Sequence, residues 1–282
     1  MGDTRPLPPQ SAQPGQPGEP GQAGQPPGKK SQPASRRRRW LRRAGIVVAA
    51  LLVVVIAGLS VIWVATPSAS DAIALAQAQA RAHGIAYPGP AVPENFARPL
   101  IATEDQRYYG EPGVDLLAVG RVVQAKLSGG NDQGGATIEQ QLAKMLYTPT
   151  HPSGFGAELK QVALAVKLNL RYSKAEILDL YAEVAYYGHG YYGLEAASCG
   201  YFGHPASELT VVQGAMLAGV VNAPSIDDPI NDPGNARARL EHVIARMVAV
   251  GYLTSAQGTA VLSTPLGLTA TATTTTGGGS SC

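Results

Sequence analysis

Three stretches of this chain place acids, amides and bases where they could act together. The first reads Ile101-Ala102-Thr103-Glu104-Asp105-Gln106-Arg107-Tyr108-Tyr109. Adjacent carboxylates inside an apolar helical run are unusual. A carboxyl turned to the core side gains a raised pKa, which suits it to proton transfer. A solvated face with Arg107 as partner is the plainer reading, and these residues alone leave both open. The second stretch runs from Gln133 through Gly134-Gly135-Ala136-Thr137-Ile138-Glu139-Gln140-Gln141 to Lys144. Glycines ahead of a threonine and a helix start offer backbone N–H groups to an anion, with Lys144 two turns inside. Thr137-x-x-Gln140 also has the form of a capping box. The third begins Arg171-Tyr172-Ser173-Lys174-x-Glu176 and continues into the glycine- and tyrosine-rich Tyr186-Tyr187-Gly188-His189-Gly190-Tyr191-Tyr192-Gly193.

Other chemistries find little support. The five histidines, at 83, 151, 189, 204 and 242, form no His-x-x-x-His pair, and the two cysteines are far apart. No protein-built metal site is expected. No Ser-x-x-Lys, Gly-x-Ser-x-Gly or phosphate-loop motif occurs. With two cysteines the fold is expected to rest on packing, and Cys199, in a small-residue run, reads as a buried packing residue.

The elements that must position these groups are helical. Capping boxes open at Ser173-x-x-Glu176, Thr210-x-x-Gln213 and Thr254-x-x-Gln257. Pro233 starts a helix that continues to Ala249. Leu116–Leu127 and Leu159–Leu170 are amphipathic. Strand signals are few, so the fold class is mainly α.

Four segments follow from composition. Residues 1–43 form a Pro/Gly-rich tail without apolar periodicity, expected to be disordered, ending in six arginines between Arg36 and Arg43. Residues 44–64 are an uncharged apolar run whose helix, about 31 Å long, would cross a bilayer. Arginines collect on the cytoplasmic side, so the N-terminus is expected inside and the rest outside. The run is too long for the apolar region of a cleaved signal peptide. Residues 71–265 read as one domain, and residues 266–282 as a Thr/Gly/Ser tail. Residues 1–43 carry nine Lys/Arg against two Asp/Glu, and the remainder thirteen against eighteen. The formal net charge of +2 therefore cancels a +7 tail against a −5 remainder. That distribution argues against a basic nucleic-acid-binding domain.

Taken in order, the blocks from about Pro93 to Leu262, including Leu217-Ala218-Gly219 and Ala223-Pro224-Ser225, resemble glycosyltransferase family 51. This is the peptidoglycan-polymerising domain of class A penicillin-binding proteins and of monofunctional transglycosylases. The resemblance implies a mainly α, lysozyme-like fold with a membrane-facing lobe near residues 110–135. It implies inverting glycosyl transfer between undecaprenyl-pyrophosphate-linked disaccharide-peptides to extend a nascent glycan. Glu104 falls on the family's general base. Asp105, Arg107, Thr137, Gln141, Lys144, Gln161 and Lys174 fall on substrate-binding positions. The family also implies a divalent cation (Mg or Mn) at the pyrophosphate, and cell-wall synthesis proteins as partners. With few residues after the last helix, the monofunctional kind is expected.

The chain departs from the family pattern at several of these positions. Glu111 stands for His, Ala136 for Ser, Glu139 for Thr, Met145 for Asn and Glu183 for Asn. The family's Arg-Lys-x-x-Glu becomes Ala157-Glu158-Leu159-Lys160-Gln161. Gln161 keeps the shape of the second carboxylate but cannot ionise. Glu158 and Glu139 are the candidates to replace its charge, and Glu111 is a further new carboxylate near the cleft. The alternative is a catalytically impaired member acting as a precursor-binding or scaffold protein. A muramidase-like hydrolase using Glu104 as acid is a third reading.

Overall fold

The computed structural model describes residues 2, 34–129, 135–148, 154–269 and 282. It falls into two units, Met1–Val55 and Ile56–Cys282. Apart from Gly2, the described part of the first is the beginning of helix α1 (Ala34–Ala65), which runs on into the second. That helix starts ten residues before the apolar run, so the arginines lie on the helix itself. Its apolar side chains, Val47, Leu51 and Val54 among them, are exposed. It is the one described helix long and apolar enough to cross a membrane.

Ten further helices build the second unit, with no strand among the described residues. They are α2 (Ala72–Ala82), α3 (Glu94–Glu104), α4 (Leu116–Ser128), α5 (Ile138–Tyr147), α6 (Phe155–Arg171), α7 (Lys174–Val184), α8 (Leu194–Phe202), α9 (Val211–Val220), α10 (Pro233–Ala249) and α11 (Ser255–Ser263). Capping boxes open α5, α7, α9 and α11 at Thr137, Ser173, Thr210 and Thr254. Each cap satisfies two N–H groups that a helix start leaves without partners.

Two apolar cores result. The larger gathers α2, α3, α5, α6, α7 and α8 around Phe96, Leu142, Leu168, Tyr181 and Tyr187. The smaller joins α9 and α10 around Met216, Leu240 and Val243, and takes Ala102 from α3. Helix α3 thus serves both. Pro99 within it has no N–H to donate to the Asn95 carbonyl. Helix α9 approaches at that point so closely that a Cβ on Gly214 would lie 1.9 Å from the Asn95 oxygen. The close approach carries the C-terminal end of α3, with Glu104, to the seam between the two cores.

Lys167 of α6 holds the end of α1. Its Nζ donates to the carbonyls of Trp63 at 2.7 Å, Thr66 at 2.8 Å and Pro67 at 3.1 Å. The ammonium also lies 4.9 Å from the Trp63 ring centroid. The expectation that no disulfide contributes is corrected, because Cys199 of α8 is bonded to Cys282. The partners stand 83 residues apart across a low-complexity tail, and no local pattern announces such a pair.

Candidate active site

Glu104 is the last residue of α3, and three helices or their ends supply its partners. Gln141 of α5 donates Nε2–H to Oε2 at 3.0 Å. Asn222, just beyond α9, donates to the same oxygen at 3.1 Å. Arg239 of α10 donates from Nη2 to Oε1 at 2.9 Å. The Tyr181 hydroxyl of α7 donates to Gln141 Oε1 at 2.9 Å, which fixes the amide with its NH2 toward Glu104. Arg239 is held in turn by the Gly219 carbonyl at 3.2 Å, and a Cβ on that glycine would meet Arg239 Cγ at 2.9 Å.

A cavity of about 680 Å³ opens over Glu104, with Gln141, Lys144, Tyr181, Asn222, Arg239 and His242 in its lining. Lys144 and Arg239 set two fixed positive charges against the one carboxylate there. A smaller cavity of about 140 Å³ shares Thr103, Glu104, Gly135 and Ala136 with it and continues past Asp105, Arg107 and Thr137. Gln133, Gly134 and His151 lie outside the described residues.

The other site residues read from the sequence are dispersed. Thr137 is buried, caps α5 and donates its hydroxyl to the Gly113 carbonyl at 2.9 Å. Asp105 accepts the Ile138 N–H at 3.2 Å, tying the end of α3 to the start of α5. Arg107 is paired with Asp115, the N-cap of α4. Lys174 does not line the larger cavity; its Nζ meets Glu139 Oε1 at 2.5 Å and lies 4.4 Å from the Tyr108 ring centroid. Gln161 is half-buried on α6 and Glu158 is exposed on it, and neither lines the larger cavity.

The new carboxylates do not face the larger cavity. Glu139 is fully buried, and burial raises its pKa against the opposing pull of Lys174. Glu111 is buried too, with neither oxygen hydrogen-bonded to a donor from another group. It lies against Asp105, whose pKa is pushed up to about 8. Burial is the first cause, and the neighbouring Glu111 carboxylate adds to it, while the Ile138 N–H pulls the other way. Burial therefore favours the protonated form of Asp105. Glu183 lines a separate cavity.

Sequence reasoning missed Arg239 and Asn222. Arg239 and Arg246 are seven residues apart on α10 and so share a face. Arg246 donates to the Ala102 carbonyl at 3.3 Å and to Gln106 at 2.9 Å. That arginine pair at spacing seven was the available signal, though nothing local links it to Glu104.

Among the described residues, the one group of three ligating side chains is Glu195, Cys199 and Cys282, whose sulfurs are bonded to each other.

Residues 72–248 match the family described as transglycosylase. Penicillin-binding protein 1F of Bacillus subtilis is 38% identical over 178 residues, covering 63% of this chain and 25% of that protein. Penicillin-binding protein 1A of Mycobacterium tuberculosis is 39% identical over 160 residues, 56% of this chain and 20% of that protein. A Cupriavidus necator protein named as a transglycosylase is 34% identical over 177 residues, 63% of this chain and 76% of that protein. The chain therefore spans about a quarter or less of the two penicillin-binding proteins and about three quarters of the third. A match over well over half its length, with these relatives beside it, makes the chain a member of the transglycosylase family, glycosyltransferase family 51.

Proposed function

We propose that the chain polymerises lipid-linked disaccharide-peptide precursor into peptidoglycan glycan strands, with inversion at the anomeric carbon. Glu104 takes the proton from the acceptor hydroxyl as that oxygen attacks. The pyrophosphate leaves with the bonding pair, and its developing charge is met by Lys144. Gln141, Asn222 and Arg239 hold the Glu104 carboxylate in one orientation, so little reorganisation accompanies proton transfer. The observation that carries this reading is the fixed Glu104 in a cavity of about 680 Å³ whose other charged lining groups are cationic. Burial of Glu111 and Glu139 away from that cavity leaves its positive balance intact.

In this reading α1 spans the cell membrane once, with the arginines cytoplasmic and the family domain outside. The Cys199–Cys282 disulfide supports that side, because such bonds persist in oxidising compartments. The test uses detergent-solubilised full chain and fluorescent lipid-linked precursor. Wild type is expected to make polymer and Glu104→Gln to lose it by at least about a hundredfold. Inert wild type, or an active Glu104→Gln, would refute the assignment.

A further inference from the structure

A second cavity, of about 460 Å³, shares no lining residue with the one over Glu104. The two are separated where Tyr186, which lines the first, meets Tyr192, which lines the second, with ring centroids 4.7 Å apart. One wall is the segment around Ile85 and Pro88, and the opposite wall is α7 with the start of α8. The lining is mainly apolar and contains two carboxylates, Glu183 and Glu195, with no Lys, Arg or His. A volume of this order is that of small-molecule sites.

The two acids are not equivalent. Glu195 stands in the first turn of α8, where the helix dipole favours negative charge, and accepts the Ala206 N–H at 2.9 Å. Glu183, in the last turn of α7, accepts the Gly89 N–H at 2.6 Å. No cationic side chain among the described residues pairs with either. Burial raises the Glu183 pKa, with Asp179 adding to it and the Gly89 N–H opposing. Tyr192 supplies an aromatic wall and is held by stacking on His83 at 3.4 Å between centroids. Carboxylates without a cation, an aromatic ring and an apolar lining are together the features that hold an organic ammonium ion.

We propose that this cavity binds a primary alkylammonium group, its charge at Glu183 and its aliphatic stem against the apolar walls. Either a free diamine or a lysine-type side chain carried on a peptide would supply that chemistry. The proposal does not depend on the polymerase reading, since binding is measured without precursor.

The experiment is isothermal titration calorimetry on detergent-solubilised full chain with n-pentylamine, and 1-pentanol as the neutral control of equal length. Saturable one-site binding of the amine is expected, at least tenfold tighter than the alcohol. Glu183→Gln is expected to weaken the amine at least tenfold and leave the alcohol unchanged. Affinity is expected to rise with pH as Glu183 loses its proton, above the range of an ordinary carboxylate. Glu195→Gln, expected to weaken the amine less, gives a second reading should Glu183→Gln lose its thermal unfolding transition. Equal binding of amine and alcohol, absence of saturable binding, or amine affinity unchanged in a folded Glu183→Gln would overturn the proposal. Tight binding of Nα-acetyl-lysine methylamide assigns the side-chain source, and binding of cadaverine alone assigns the free diamine. Glycan polymerisation by Glu183→Gln is expected to match wild type.

Discussion

Replacing Glu111 by glutamine is expected to flatten the dependence of stability on pH. Asp105 is buried, lies against Glu111 and has its pKa raised from 3.8 to about 8. The unfolded chain releases that proton near the ordinary carboxylate value. Between the two values the folded state therefore holds one proton more than the unfolded state. Stability from this group is fully present below the unfolded pKa and is lost as pH rises toward the folded one. The slope is about −1.4 kcal/mol per pH unit, so about 2–3 kcal/mol disappears between roughly pH 5.5 and 7.5. For a domain of this size that is about 5–10 °C in unfolding temperature. Glutamine cannot carry the like charge and can donate an N–H to the Asp105 carboxylate. Burial remains, so some dependence persists, but the slope in Glu111→Gln is expected to fall to about half or less. The assay is thermal unfolding of both solubilised proteins across that range. Other ionisable groups are common to both proteins and cancel in the difference. Parallel curves for wild type and Glu111→Gln would refute the claim that Glu111 helps raise the Asp105 pKa.

Three further outcomes follow from the packing and hydrogen bonding. Gly214→Ala puts a Cβ against the Asn95 carbonyl and is expected to destabilise the domain by about 1–3 kcal/mol, read as a lower unfolding temperature. Tyr181→Phe removes the hydroxyl that orients Gln141 and is expected to cost about 1 kcal/mol, with a smaller loss of polymer synthesis than Glu104→Gln causes. Lys167→Met leaves the Trp63, Thr66 and Pro67 carbonyls without their ammonium, and hydrogen exchange is expected to accelerate at the end of α1 while the core helices keep their protection.

The fold was most legible where its causes are local. A capping box satisfies its own helix start within four residues, so Thr137, Ser173, Thr210 and Thr254 mark four helices from sequence alone. Pro233 opens α10 for the same kind of reason. The beginning of α1 was misplaced because hydropathy marks the apolar run and carries no information on whether the preceding arginines are helical. The Cys199–Cys282 pair was missed because a bond across 83 residues leaves no periodic trace.

The candidate site shows the same division more sharply. Glu104, Gln141 and Lys144 belong to contiguous blocks, whose residue types left their chemistry open until the family resemblance gave them roles. Arg239 stands 135 residues from Glu104 and reaches it only because α3 is packed between the two cores. Pattern departures at Glu111 and Glu139 suggested a cleft made more acidic. Position in three dimensions reverses the inference: both acids are buried outside the larger cavity, and Glu139 is paired with Lys174. A count of charges along the chain treats every carboxylate alike. Only the carboxylates that line a cavity set its local charge balance, and the larger cavity is lined by one carboxylate and two fixed cations.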